Sequence, residues 1–385
     1  MQLCLEEVKM DDTKPMNINE NASPPLKKRK KTSGWRVFGY VVLGLLVFTG
    51  LIYFLWLRPS MQKPISEELV LPTMAVGPVE GEEVANDILP PSNLGAVPIF
   101  VEPTPEPGEE PVCGNETSWN LLLVGIDYRQ DSYLYGLADV IRLARVDFVD
   151  MTINMVALPR DLMVEAPEGR FTEQNPMKIN QAYLFGTEGW GGYLGEGFGA
   201  NSLAEVIRYN FGVAPQHYAV VNFETVVNFI DAIGGVEVDL PQGVTDPNPS
   251  LGSFPAGKQT LNGDRALALM RIRTNYSDAF RVSNQTLVMK AILNKLTQPA
   301  SLVKIPSLLE QFKEGFLTDL SLEQLTSLGV CFLRNFETQN LNSAQIPEDL
   351  LTADFVYIPS LDGESYVYLW DERVVNWIHQ NLLTQ

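Results

Sequence analysis

The sequence holds two histidines, His217 and His379, and three cysteines, Cys4, Cys113 and Cys331, in 385 residues. Histidine-based zinc sites and Ser-His-Asp chemistry both lose support, because each needs imidazoles set beside their partners. No CxxC pair or Cys/His metal spacing occurs. Cys4 is cut off from the other two by a long apolar stretch. The spacing of Cys113 and Cys331 argues neither for nor against a disulfide. Positive charge is also short. The formal net charge is -19. Residues 1–57 carry eight Lys/Arg against five Asp/Glu, a balance of +3, so the remainder (20 against 42) stands at -22. A surface that negative repels phosphate backbones and excludes nucleic acid as a partner. Internal repeats are absent.

What is present begins with "VFGYVVLGLLVFTGLIYFLWL", 21 residues (37–57) without a charge. As a helix it is ~31 Å long, enough to cross a hydrocarbon core. Aromatic residues mark both ends. The basic run Lys27, Lys28, Arg29, Lys30 and Lys31 stands just before it and is expected to stay cytoplasmic. The reading is a disordered cytoplasmic tail (1–34), one transmembrane helix (35–57) and everything later outside the cell. A cleaved signal peptide fits less well, since its apolar core is shorter. Residues 58–117, rich in proline and glutamate as in "FVEPTPEPGEEPVCGNE", read as an extended linker or stalk.

Beyond residue 117 the pattern alternates. "WNLLLVG" (119–125), "ADVIRLARVDFV" (138–149), "MTINMVAL" (151–158), "HYAVVNF" (217–223) and "GVEVDL" (235–240) read as strands. Helical patterns fall between and after them. "NSLAEVIRYNF" is expected to start at a capping Asn201, and "NFETVVNFIDAIGG" to end on Gly234 and Gly235. "GDRALALMRIR" follows a capping Asn262, "RVSNQTLVMKAILNKL" spans 281–296, and "SLEQLTSLGVCFL" opens with the capping box Ser321…Gln324. This alternation predicts an α/β layered fold.

Charged residues concentrate where strands end, the usual place of a cleft in α/β sheets. Asp127 and Arg129 follow the first strand, Asp139 opens the second, and Arg160 and Asp161 follow the third. The stretch "MRIRTNYSDAFR" adds Arg271, Arg273, Asp278 and Arg281 to an otherwise acidic chain. Arg271 and Arg273 lie ~200° apart on one helix, so both cannot face one pocket. Arginine suits phosphate, because its planar fork donates paired hydrogen bonds and keeps its charge. Paired carboxylates such as Asp127 and Asp139 suit Mg²⁺, which completes its shell with phosphate oxygens and water. Together these residues make the chemistry of a pyrophosphate site.

The order "NLLLVGIDYR", "GLADVIRL", "ALPRDL", "KINQAY", "VVNFIDAIGGVEVDLP", "GKQTLNGDRALALMRIR" and "SDAFRVSNQ" resembles the LytR-CpsA-Psr domain of bacterial envelope proteins over residues 118–297. The resemblance implies a three-layer α/β/α sandwich with a central mixed sheet and an apolar pocket for a polyprenyl chain. It covers a domain over 118–300, with 301–385 completing that domain or forming a small extension. It implies an Mg²⁺-dependent transferase that moves a glycopolymer from a polyprenyl-pyrophosphate carrier to peptidoglycan, on the outer side of the cell membrane. Asp127 and Asp139 are then the metal-linked acids, and Arg160, Arg273 and Arg281 grip the pyrophosphate. Lys178 and Asn180 fall in the "KIN" motif, and Gln285 lies in the "RQ" region. Arg129, Asp161, Arg271 and Asp278 join them as substrate-binding candidates. The sequence departs from the family at Tyr135 and Leu137, where arginines usually stand, and at Asn284, where the "RQ" arginine stands. Arg129 and Arg142 are the candidate substitutes. The alternative is a catalytically impaired protein that binds polyprenyl phosphate.

Overall fold

A computed structural model of the chain describes residues 34–53, 55, 58–72, 97–101, 110–127, 135–172, 175–246, 248, 250–272, 278–313 and 315–383. Two compact units occur, Met1–Leu57 and Arg58–Gln385. In the first, α1 runs over Gly34–Ile52, 19 residues. Its large apolar side chains, Leu46 and Phe48 among them, are exposed. Among the described residues no helix is long and apolar enough to cross a membrane. Phe54, Trp56 and Leu57, which close the 21-residue apolar stretch of the sequence, lie outside that described set.

The second unit is built on a mixed six-stranded sheet. Its first three strands are β1 (Ser118–Ile126), β2 (Ala138–Asp147) and β3 (Thr152–Leu158). They form an antiparallel meander. β-branched and apolar side chains fill both of its faces, as a sheet covered on both sides requires. The short pair β4 (Met163–Val164) and β5 (Met177–Lys178) leads into α3 (Ile179–Phe185), and α4 covers Gly199–Phe211. β6 (His217–Asn222) then runs parallel to β1. Asn222 caps α5 (Phe223–Ala232), accepting from the Thr225 N–H at 2.8 Å. Gly234 and Gly235 follow at φ 84° and 79°, a left-handed exit that any side chain would strain. A Cβ on Gly235 would also meet the Leu261 carbonyl at 2.8 Å.

β7 (Val236–Leu240) does not enter the main sheet. It pairs with β10 (Gly257–Leu261), beside the small pair β8 (Val244–Thr245) and β9 (Ser253–Phe254). α6 (Gly263–Arg271) begins at the expected cap, Asn262, and α7 runs from Asp278 to Leu296, three residues earlier than its periodicity gives. After α8 (Pro299–Leu302) and α9 (Ile305–Phe312), β11 (Phe316–Thr318) pairs with β6. α10 (Leu322–Asn335) carries the expected Ser321/Gln324 capping box, and β12 (Leu341–Gln345) pairs with β3. The strand order is β11-β6-β1-β2-β3-β12. The segment after residue 300 therefore completes the sheet at both edges. The chain closes with a separate hairpin, β13 (Thr352–Ile358) and β14 (Gly363–Leu369), and α11 (Glu372–Leu383).

Residues of α3, α4 and α11 pack on one face of the sheet around Leu122, Ile141 and Val156. Residues of α7 and α10 pack on the other around Leu121, Leu123 and Met155. A third cluster joins α5, α6 and α7 to β7 and β10.

Three expectations need correction. α6 stops at Arg271 and Ile272 is extended, so the single helix expected to carry both Arg271 and Arg273 ends before Arg273, which lies outside the described residues. Asn201 does not cap α4; it lies inside the helix, and its side chain holds Val70 through the Val70 N–H at 2.7 Å and the Val70 carbonyl at 3.1 Å. The described parts of the expected linker do not extend away from the fold. After α2 (Arg58–Met61), the Ile65 and Ser66 N–H groups donate to the Leu320 and Thr318 carbonyls at 3.2 and 2.8 Å, covering the edge of β11. Val97 and Phe100 are buried, and Cys113 forms a disulfide with Cys331 of α10. Residues 73–96 and 102–109 of that segment lie outside the described set.

Candidate functional site

β1 and β2 do not stay in register to their ends. Gly125 pairs with Val140 and Ile126 with Ala138, so Asp139 is an extra residue on β2. Such a bulge re-aims a side chain, here out of the ladder and toward the cleft. Asp127 follows directly on β1. Its Oδ1 accepts from the Leu137 N–H at 2.9 Å, and its own N–H donates to the Leu137 carbonyl at 3.2 Å. The two carboxylates thus sit on adjacent strand ends.

The third strand end brings the cations. Arg160 pairs with Asp139 through Nη1 and reaches Asp161 through Nε at 3.4 Å. Lys178 Nζ closes the chain on Asp161 at 3.0 Å. Burial pulls the Arg160 pKa down, but Asp139 and Asp161 outweigh it and hold it above the ordinary arginine value. Asn180 is buried, its N–H donates to the Arg160 carbonyl at 3.3 Å, and its Oδ1 has no hydrogen-bond partner. Lys178 is also the N-cap residue of α3 by backbone position, so the "KIN" segment serves helix and charge network together.

Between the sheet and the helices α5, α6 and α7 lies a cavity of about 390 Å³. Val124, Val221, Val226, Leu267, Val288 and Ile292 give it apolar walls. Asp139, Arg142, Arg271, Arg281 and Gln285 line it as well. A slot of this kind, apolar with a few placed polar groups, is the usual form of a ligand site. Arg271 also lies over the Phe223 ring, 5.3 Å from its centroid. Arg281 is buried at 6% exposure.

The residue that sequence reasoning failed to place is Arg142. It projects from the middle of β2, 3% exposed. Its guanidinium donates to Ser343 Oγ at 3.0 Å, Thr286 Oγ1 at 3.2 Å, and Gln285 Oε1 and the Val282 carbonyl at 3.3 Å. All four acceptors are neutral. Burial, and then the nearby Arg281 charge, pull its pKa down to about 10. Alternation along β2 put Arg142 on one face of the sheet, yet nothing in the pattern said that a cavity lies there.

The structure therefore brings Asp139, Arg271, Arg281 and Gln285 to one cavity, with Arg160, Asp161, Lys178 and Asn180 joined to it through Asp139. Arg129 and Arg273 lie outside the described residues, and Asp278 is described only as the start of α7. Tyr135 is 43% exposed, and Asn284 is buried with its Nδ2 on the Leu269 carbonyl at 3.4 Å. Among the described residues, no group of three or more His, Cys, Asp or Glu is placed to hold a metal ion. Asp127 and Asp139 suit a cation only as Mg²⁺ is commonly held, by one or two carboxylates with phosphate oxygens completing the shell.

The two histidines have structural partners. His217 Nδ1 bonds Asp319 Oδ2 at 2.9 Å, and His379 Nε2 bonds the Phe211 carbonyl at 2.7 Å beside the Phe100 ring.

A model of the LytR_cpsA_psr family matches residues 104–379, well over half of the chain. The polyisoprenyl-teichoic acid–peptidoglycan teichoic acid transferase TagU of Halalkalibacterium halodurans is 28% identical over 213 residues, 54% of this chain and 64% of that protein. TagU of Oceanobacillus iheyensis, of the same name, is 30% identical over 212 residues, 54% of this chain and 61% of that protein. The alignments thus span less than two thirds of the length of these relatives. The crystal structure of Bacillus subtilis TagV shares the fold with a TM-score of 0.55, at 20% identity, over 70% of this chain and 97% of that one.

Proposed function

The chain belongs to the LytR-CpsA-Psr family, and on that premise we propose that it is a membrane-anchored transferase acting outside the cell. It moves a glycopolymer, with its phosphate, from a polyprenyl-pyrophosphate carrier to peptidoglycan. The observation that carries this reading is the cavity. Its apolar walls suit an isoprenoid chain, and Arg142, Arg271 and Arg281 at its polar lining suit a diphosphate. The two TagU relatives, whose names state a teichoic acid transfer between polyisoprenyl carrier and peptidoglycan, support the same substrate classes.

In the reaction, an acceptor sugar hydroxyl forms a bond to the phosphorus nearer the glycopolymer. The bridging P–O bond breaks, and polyprenyl monophosphate leaves with the electron pair. Arg281 and Arg271 donate to the phosphate oxygens and spread the charge that grows on the leaving group. Arg142 adds a third guanidinium from the sheet side. Arg160 orients Asp139, and the carboxylates of Asp127 and Asp139 are the local acceptors for the hydroxyl proton. Mg²⁺ held by these two carboxylates and the diphosphate would supply further charge neutralisation.

The anchor is the uncharged stretch Val37–Leu57, preceded by the basic run Lys27–Lys31 that favours a cytoplasmic N-terminus. The disulfide Cys113–Cys331 supports an oxidising, extracytoplasmic location for the second unit.

A second reading, a binder of polyprenyl phosphate without turnover, rests on Tyr135, Leu137 and Asn284 in family arginine positions. The test uses a lipid-pyrophosphate-linked glycan, peptidoglycan and Mg²⁺. Asp139→Ala and Arg281→Ala are expected to abolish transfer while the protein stays folded. Full activity in both variants would remove the site assignment, and tight lipid binding without turnover by the natural sequence would establish the second reading.

A further inference from the structure

The hairpin β13–β14 presents an unusual face. Phe355 pairs with Tyr366, Tyr357 with Glu364 and Ala353 with Tyr368. Because side chains alternate along strands, these residues share one side of the ribbon. Phe355 is 64% exposed, Tyr357 53% and Tyr366 38%. The rings form a continuous row: Phe355 meets Tyr366 edge-on with centroids 5.9 Å apart, and Tyr366 meets Tyr368 at 5.3 Å. Four aromatic residues on one two-stranded ribbon mark a contact surface rather than scattered apolar exposure.

The row leads to the site. The Tyr368 N–H donates to the Asp161 carbonyl at 2.9 Å, and Tyr368 bridges Leu162. Gln181 Nε2 donates to Ser360 Oγ at 2.8 Å, and Trp370 Nε1 to the Met163 carbonyl at 2.6 Å. The hairpin is therefore rooted on the segment that carries Arg160, Asp161 and Lys178. From Tyr368 to Glu364 the row extends ~13 Å at strand rise.

Charge decides what it contacts. From Asn335 to Glu372 there is no Lys or Arg, and eight Asp/Glu are present. Glu364 shares the aromatic face, and Asp362 accepts from the Tyr357 hydroxyl at 2.9 Å. A membrane surface of anionic lipid draws on Lys and Arg, which this stretch lacks. A phosphate-rich glycopolymer is repelled by the same carboxylates. A neutral sugar chain is not. The apolar faces of pyranose rings stack on exposed aromatic rings, while carboxylates and tyrosine hydroxyls bond the sugar hydroxyls at the ring edges.

We propose that the Phe355–Tyr357–Tyr366 ledge is a binding subsite for a neutral glycan, the acceptor strand, which it feeds toward the Arg160–Asp139 end of the cavity. The proposal rests on the transferase reading only for the identity of that glycan. It deepens that reading by separating acceptor from donor: cations hold the anionic donor, and an acidic aromatic ledge holds the neutral acceptor.

The test uses the full chain in detergent, with Phe355→Ala/Tyr366→Ala as the variant and Glu364→Lys as a second. Three probes are measured separately: peptidoglycan sacculi stripped of attached polymer, a neutral β-1,4-linked N-acetylglucosamine tetramer, and vesicles of anionic lipid. The double variant is expected to bind sacculi and tetramer about tenfold or more weakly, as for central aromatic contacts elsewhere. Its melting temperature and its affinity for polyprenyl phosphate should match the natural sequence. In transfer, KM for the acceptor should rise with kcat little changed. Unchanged glycan binding overturns the proposal, as does loss of vesicle binding or of self-association in place of glycan binding. If the natural sequence binds no polyprenyl phosphate while glycan binding still needs the aromatic rings, the cavity reading fails and the ledge stands.

Discussion

Arg142 gives the sharpest single perturbation. The guanidinium is 3% exposed, faces four neutral acceptors and sits beside another buried guanidinium, Arg281. A buried cation with only neutral partners is costly to keep, and a bound anion is what offsets that cost. Arg142→Met removes the charge and keeps most of the volume. Replacing a buried charge by a well-packed apolar side chain is often neutral or stabilising, although the Gln285 and Val282 oxygens lose a donor here. The unliganded variant should therefore melt within a few degrees of the natural sequence. Its ligand affinity should fall far more. A charge-assisted hydrogen bond contributes about 1.5–3 kcal/mol, which is about ten- to 150-fold in Kd for a polyprenyl pyrophosphate. Calorimetry on the full chain in detergent measures Kd directly, and thermal shift with and without lipid separates affinity from stability. The sign of the pH effect follows from the same geometry. Arg142 loses its charge as pH rises through about 10. Lipid-diphosphate affinity of the natural sequence should fall across that range, and that of Arg142→Met should fall less. A folded Arg142→Met protein with Kd within twofold of the natural sequence would refute the reasoning.

Three further outcomes follow from the geometry. Ala219 lines the cavity on β6, so Ala219→Phe should exclude long polyprenyl chains while inorganic pyrophosphate binding persists, at an overpacking cost of about 1–3 kcal/mol; calorimetry with both ligands checks this. Cys331→Ser opens a disulfide between residues 218 positions apart and should lower stability by about 2–5 kcal/mol, read by denaturant unfolding. His379 is held below the ordinary histidine pKa by burial, which its bond to the Phe211 carbonyl only partly opposes. The unfolded chain then takes up its proton first as pH drops below 6.5, so stability should fall with falling pH from there. His379→Gln should flatten that part of a melting-temperature profile.

Much of the fold was legible because it is locally encoded. Asn262, Ser321 with Gln324, and the Gly234–Gly235 exit each state a helix boundary in their own chemistry, and each stands as read. The strands β1 to β3 were legible from β-branched content and turn residues. Asn201 shows the limit of the same rule. Asparagine before an apolar run looks like a cap, but a bond to Val70, 131 residues earlier, claims its side chain. The packing of residues 58–72 was illegible for a related reason. Proline and glutamate content speaks for extension, and the partner strand β11 comes some 250 residues later. The disulfide needed coordinates, since spacing is silent on it. The sequence named Asp139, Arg160, Arg271, Arg281 and Gln285 as candidates, and the structure places them at the cavity or, for Arg160, beside it through Asp139. Arg142 was named as a candidate substitute but not placed, because both faces of a covered sheet are buried, so alternation assigns a face without saying whether helix or cavity lies against it.

The most direct test is the identity of the lipid that the full chain carries. The full chain is expressed in a bacterium and purified in mild detergent, and bound lipid is extracted and identified by mass spectrometry. The cavity and its arginines predict a polyprenyl phosphate or pyrophosphate in near one-to-one ratio, depleted in Arg142→Met and Arg281→Ala. Protein that carries no isoprenoid phosphate, or carries ordinary phospholipid equally in all three forms, would contradict the account.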